Sequence, residues 1–152
     1  LSPKTWKPGI MAHEVGHADI HNTSAIDPVG FMQRKMYKPT MMMNQFGGGL
    51  LPVLATNKLV GKDEDNPLMG GLKGGLIGSA ANAGVLIPEF EASRRGLKHM
   101  MNSPSLKGKV FSNAMSTVPA FLTYLSLLAG PSAVAGAIKA YLNKKQIGRA
   151  HF

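Results

Sequence analysis

The sequence has no cysteine, which excludes disulfides and thiolate metal sites. Acidic residues are scarce: eight Asp and Glu stand against 17 Lys and Arg, a formal net charge of +9, so any chemistry that needs a carboxylate must draw on few positions. Aromatics are scarce as well, with one Trp, three Tyr and six Phe in 152 residues. They do not interleave with the basic residues as stacking on bases requires, which disfavours nucleic acid as a partner despite the charge. In place of these residues stand 18 glycines and ten methionines, arranged as apolar or small-residue stretches separated by short polar ones. The basic residues fall between those stretches in short groups, "KMYK", "SRRGLK", "SLKGK" and "NKKQIGR". That is the pattern of Lys and Arg flanking membrane segments and pairing with lipid phosphates.

By length the chain is one domain, and it contains no internal repeat. Residues 1–9 form a polar lead-in with Pro3 and Pro8, and Lys4, Lys7 and Trp6 keep the opening from reading as a signal peptide. Residues 23–45 read as irregular, with Asp27-Pro28, Lys38-Pro39 and the run Met41-Met42-Met43. Three apolar segments follow, at about 46–61, 68–88 and 110–138. The first is interrupted by Pro52, Asn57 and Lys58. The second holds Lys73 and a series of small residues, and the two are expected to form a helical hairpin in which Gly71, Gly75 and Ser79, spaced by four, let helices approach closely. The third runs for 29 residues without a charge between Lys109 and Lys139, longer than the roughly 20 apolar residues that span a bilayer. Its Gly130-Pro131 pair is a place where it can break into a re-entrant hairpin. Basic residues flank both of its ends, so orientation is not legible.

The stretch "GIMAHEVGHADIHN" (9–22) carries H-E-x-x-H on a segment, Ile10 to about Asn22, that lacks proline and reads as a helix. On a helix, residues four apart share a face, so His13 and His17 can direct two imidazoles at one ion with Glu14 beside it. A zinc-bound water with a neighbouring carboxylate as base is the chemistry this spacing serves. A third ligand is still needed. His21 lies about 12 Å along the axis from His13 at ~1.5 Å per residue, too far to share the ion, and is assigned to the surroundings of the site. Ile20 and Thr23 stand where the metzincin pattern has Gly and His, so the methionine run is no Met-turn. Glu89 and Glu91, in "IPEFEASRRGLKHM" (87–100), are the only carboxylates after Asp65. They face about 200° apart on a helix opening at Pro88, so only one of them can reach the metal. Arg94 is a candidate to neutralise a ligand carboxylate or hold a substrate carbonyl, and His99 a candidate oxyanion donor.

"AHEVGH" followed, after an apolar hairpin, by "PEFEASRRGL" resembles the YugP-like neutral zinc metallopeptidases of membranes, relatives in motif style of the HtpX and CAAX-prenyl endopeptidases. The likeness continues into "AMSTVPAFLTYLSLLAG" with its Thr-Tyr pair and covers about residues 10–130. It implies that His13 and His17 bind zinc, that Glu14 is the catalytic glutamate and that Glu89 is the third ligand. It also implies that Ser93 sits in the shell around the ligands, where the wider group often has Asp, and that Arg94 and Arg95 correspond to the family's arginine pair. The chain departs from the family in having only twelve residues before His13, with no obvious source for the strand that holds substrate in zincins.

The fold expected is mainly α, a single zincin-like domain over 1–152 with an H-E-x-x-H helix, a Gly-rich apolar hairpin and a C-terminal transmembrane-like helix, standing as the C-terminal part of a longer or processed chain. The function expected is a zinc-dependent endopeptidase of a multi-pass or membrane-inserting kind. Its cofactor is Zn2+, and its partners are a peptide or protein substrate, the lipid bilayer, and a larger precursor or a homo-oligomer. The alternative is a structural or membrane-inserting module of a larger assembly, such as a processed phage tail or ejection component of a virion, that retains a zincin scaffold.

Overall fold

The computed structural model describes residues 8–23, 26–47 and 49–150; most of the expected lead-in, 1–7, lies outside the described residues. The chain is mainly helical, with no strand among the described residues. Its contacts divide it into two compact units, one made of the stretches numbered 1–39 and 84–124, the other of 40–83 and 125–152.

In the first unit, α1 (Pro8–His21) opens on a proline, whose missing N–H falls where a helix has no partner for it. After it comes α2 (Pro28–Phe31), capped by Asp27, whose carboxylate accepts from the Val29 N–H at 3.0 Å. A π-helical turn, Met32–Met36, leads directly into α3 (Tyr37–Gly47), whose residues from Thr40 onward belong to the second unit. The expectation of an irregular segment at 23–45 is therefore corrected. Asp27-Pro28 is a helix start, cap followed by proline at the first position, rather than a turn. The widened π turn precedes Pro39, whose ring removes the N–H that would bond the carbonyl four residues back. The unit is completed by α6 (Ala83–Asn102), the 3-10 turn Lys107–Lys109 and the first part of α7 (Val110–Ala150). Pro88 does not open α6; it is the sixth residue of that helix, where it removes one hydrogen bond without ending the helix. The core of this unit lies where α1 and α6 meet, with Ile20, Val85, Ala92 and Met100 at 1% exposure or less.

In the second unit, α4 (Leu50–Leu59) and α5 (Pro67–Ala81) pack together, and α5 lies against α7. The close approach in this unit uses Gly70, Gly74 and Gly78, all buried, rather than the expected Gly71, Gly75 and Ser79. A Cβ on Gly74 would sit 2.1 Å from the Ser132 carbonyl oxygen, and one on Gly136 2.1 Å from that of Gly70, whereas Gly71 and Gly75 leave ordinary contact distances of 3.6 Å. The stripe is thus offset by one residue, about 100° round the helix. Buried Asn82 closes the end of α5. Its amide donates to the carbonyls of Gly78 (2.8 Å) and Leu128 (2.9 Å), and its oxygen accepts from Asn44 (2.6 Å). Asn143 donates to the carbonyls of Gly61 and Glu64, and Lys73, the one charge inside α5, is paired with Glu64.

Among the described residues, one helical stretch, Phe121–Gln146, is long and apolar enough to cross a membrane. The helix is continuous through Gly130-Pro131, so the re-entrant break does not occur. A multi-pass arrangement is not supported. The 68–88 segment is interrupted at Asn82, and α4 and α5, with 10 and 15 residues, reach only about 15 and 22 Å at ~1.5 Å per residue against a hydrocarbon core of ~30 Å.

Candidate metal centre

Two glycines set the geometry of the site. A Cβ on Gly16 would lie 2.0 Å from the Ala92 carbonyl oxygen, and a Cβ on Gly96 2.3 Å from that of Ala12. The backbones of α1 and α6 therefore touch at a separation that only glycine permits, with Ala12 and Gly16 on one helix against Ala92 and Gly96 on the other. Gly16 stands between the two histidines of the motif, and Glu89 lies one turn before Ala92 and Ser93. Close backbone contact thus delivers the carboxylate to the imidazoles.

The three donors converge tightly. His13 Nε2 lies 3.1 Å from His17 Nε2 and 3.2 Å from Glu89 Oε2, and His17 Nε2 lies 3.7 Å from the same oxygen. Ligands at ~2.0–2.1 Å in tetrahedral array around one ion stand about 3.3 Å apart, so the triangle has the edges of a metal site. The hydrogen bonds on the far sides of the rings fix the tautomers. Gln33 donates its amide to the His17 carbonyl at 3.1 Å, which leaves its oxygen, 3.3 Å from His17 Nδ1, to accept from that nitrogen. Ser93 donates its hydroxyl to the Glu89 carbonyl at 2.9 Å and lies 3.1 Å from His13 Nδ1, so it accepts from that ring. Both Nδ1 atoms then carry the protons, and both Nε2 lone pairs face each other and a carboxylate oxygen. Three acceptors with no proton between them repel unless a cation lies at their centre. His13, His17 and Glu89 can hold a metal ion.

The electrostatics agree. Glu89 is 4% exposed; burial alone would push its carboxyl up, but the contacts from His13, His17 and Tyr37 outweigh it and hold the group at about 2. Burial would lower His17, yet the Glu89 carboxylate, with Gln33 and Glu14, outweighs burial and raises it. The cluster draws positive charge, a proton where no metal competes. Tyr37 donates its hydroxyl to Glu89 Oε1, the oxygen turned away from the imidazoles, and burial followed by that bond raises the phenol's pKa. Its ring also meets the edge of His17 at 6.2 Å.

These groups line an open cleft of about 420 Å3 together with exposed Glu14 and with Tyr124. The structure thus brings together His13, Glu14, His17, Glu89 and Ser93. It does not bring Arg94, His21 or His99 to them. Arg94 makes a two-pronged pair with Glu91, 2.7 Å at each contact, and is turned away from Glu89. His99 pairs with Asp19, also at the surface, and His21 is exposed, its carbonyl accepting from Arg34. Arg95 links Glu91 to the capping residue Asp27. Gln33 and Tyr37 were not legible as site residues. Their spacing of four could have pointed to one helical face, but the segment read as irregular, and its π-helical turn places them only in the folded chain. Comparison with protein-family models, with curated proteins and with solved structures finds no match.

Proposed function

We propose that this chain is a zinc-dependent, membrane-associated endopeptidase that hydrolyses peptide bonds with water as the nucleophile. The observation that carries the reading is the pairing of a three-donor cluster, whose lone pairs converge at tetrahedral spacing, with Glu14, a carboxylate on the same cleft that makes no bond to the ligands. Two imidazoles and one carboxylate suit zinc in a site with an open fourth position. A zinc ion held there supplies Lewis acidity to water and to a carbonyl oxygen. The chain's own residues do the rest. Glu14 takes the proton of the attacking water and passes it to the departing amine nitrogen. Ser93 and Gln33 hold the rings with their Nε2 atoms inward, and Tyr37 holds the free oxygen of Glu89. The likeness to zincins rests on the H-E-x-x-H helix and the returning carboxylate. Membrane association rests on the apolar stretch Phe121–Gln146.

The test is zinc content and hydrolysis of an internally quenched peptide library, measured on the detergent-solubilised chain and on Glu14→Ala and Glu89→Ala. The expected result is about one zinc per chain in the parent and in Glu14→Ala, no hydrolysis in Glu14→Ala, and loss of the metal in Glu89→Ala. Hydrolysis surviving in Glu14→Ala overturns the mechanism. A second reading, a membrane-inserting module of a larger assembly that keeps the centre as a scaffold, is favoured by the exposed row Leu68, Leu72 and Leu76 on α5 (73%, 56% and 71% exposed), which lies outside the site's lining. Bound zinc without proteolysis in the parent chain selects it.

A further inference from the structure

Seven side chains line the cleft, and the hydrogen-bond pattern assigns nearly all of them. His13, His17 and Glu89 are the donors. Gln33 uses both ends of its amide on His17, and Tyr37 commits its hydroxyl to Glu89. Two side chains remain uncommitted to the cluster, Glu14 and Tyr124. Tyr124 is half-buried, with no hydrogen-bond partner for its hydroxyl among the described residues, and it lines the same cleft as Glu89 and Glu14.

A carbonyl undergoing attack needs two things that the three donors do not supply: a base for the water and a donor for the oxygen that gains charge. The cleft offers one candidate for each. We propose that Tyr124 is the hydrogen-bond donor to the substrate carbonyl oxygen, the role for which the sequence offers His99 and Arg94. This rests on the peptidase reading above. In the addition step the water oxygen forms a bond to the carbonyl carbon, one proton of the water passes to Glu14, and the carbonyl π pair moves onto oxygen, where the phenol O–H donates while staying protonated. In the collapse step the pair returns, the C–N bond breaks, and the proton on Glu14 goes to the leaving nitrogen. A phenol is suited to this because it is neutral and bears a single directed O–H on a ring with few rotamers. A guanidinium next to the metal cluster would instead compete with the cation for Glu89.

The experiment uses the full zinc-loaded chain and Tyr124→Phe, which removes the O–H and keeps the ring. The expected result is unchanged zinc content and helicity, KM within a factor of about two, and kcat lower by about 10²–10³-fold, the usual effect of removing one such donor. Calorimetry supplies a readout apart from turnover. A phosphinic peptide, whose tetrahedral oxygens mimic the charged oxygen, should lose affinity in Tyr124→Phe by the factor by which kcat/KM falls. A thiol peptide of the same sequence, which grips the metal but carries no such oxygen, should bind both forms equally. An unchanged kcat in Tyr124→Phe overturns the assignment, as does equal loss for both inhibitors, which would make Tyr124 a ground-state contact. Failure of the parent chain itself to cleave any peptide overturns the peptidase reading, and the assignment with it. His99→Ala, at the surface pair with Asp19, should leave kcat unchanged.

Discussion

Glu89 is held by contacts of two kinds, imidazoles on Oε2 and a phenol on Oε1, and the second can be removed alone. Tyr37→Phe deletes the O–H and keeps the ring against His17. The expected outcome is a fall of about 10–100-fold in zinc affinity, the usual effect of losing an outer partner of a ligand, read by competition with a chelator of known affinity. The same side of chemistry explains what α6 does with its other carboxylate. Arg94 first, and Arg95 after it, hold Glu91 at about 2, against a smaller upward push from partial burial. For a carboxyl depressed in the folded state, the stabilisation is fully present above the unfolded value near 4.5 and is lost as pH falls toward 2. Thermal melts across that window should therefore fall more steeply for the parent than for Glu91→Gln, and the difference should shrink in high salt, because Arg94 is 58% exposed. At this scale the motif His13, Glu14, His17 was legible because helical spacing alone puts the two histidines on one face with Glu14 beside them. The roles of Arg94 and His99 were not, because which carboxylate an arginine or histidine meets depends on neighbours across the fold. Asp19 is 80 positions from His99.

Helices meet here through small residues, and each such contact makes a test of register. Gly16→Ala places a methyl group against backbone that cannot rotate away. The cost expected from such overpacking is about 1–3 kcal/mol, and the separation of α1 from α6 should weaken zinc binding in the same variant. A drop in melting temperature that zinc no longer reverses is the signature to look for. In the second unit, adjacent glycines of α5 should respond with opposite sign. Gly74→Ala drives a Cβ into the Ser132 carbonyl and should destabilise, whereas Gly75→Ala meets the nearest atom at 3.6 Å and should gain about 0.5–1 kcal/mol from helix propensity. Chemical denaturation of the pair decides between the stripe seen here and the neighbouring one. That two helices would approach through spaced glycines was readable from composition. Which of two adjacent stripes is used was not, since both have the same spacing and only the partner face of α7, with Ser132, Ala133 and Gly136, distinguishes them. Asp27-Pro28 and Pro88 misled for a related reason. Proline marks a helix start, a turn or a tolerated interior position, and local sequence does not say which until the flanking hydrogen bonds are formed.

For the molecule as a whole, the question is what solvent the apolar exterior faces. Leu127, Val134, Ile138 and Leu142 on α7 are 69%, 59%, 54% and 52% exposed, and all lie within the stretch Phe121–Gln146. A core helix of a protein in water would cover most of these side chains, whereas only 22% of the most apolar part of this stretch is buried. Exposed apolar surface of this extent marks either a membrane or a partner. The two differ in what a single charge does. In a bilayer, a lysine near the middle of a spanning helix costs about 2.5–3.5 kcal/mol by insertion scales, and it does so on any side that faces lipid. Leu127→Lys and Val134→Lys, seven residues apart and therefore close in angle round the helix, should both release the chain from membranes under alkaline carbonate extraction, while Lys73→Leu on α5 should leave retention unchanged. If the surface instead meets a protein, carbonate should strip the parent chain as readily as the variants. Retention of the parent with release of both variants is the result expected, because one long apolar helix, not a bundle of shorter ones, is the element here with the reach to cross.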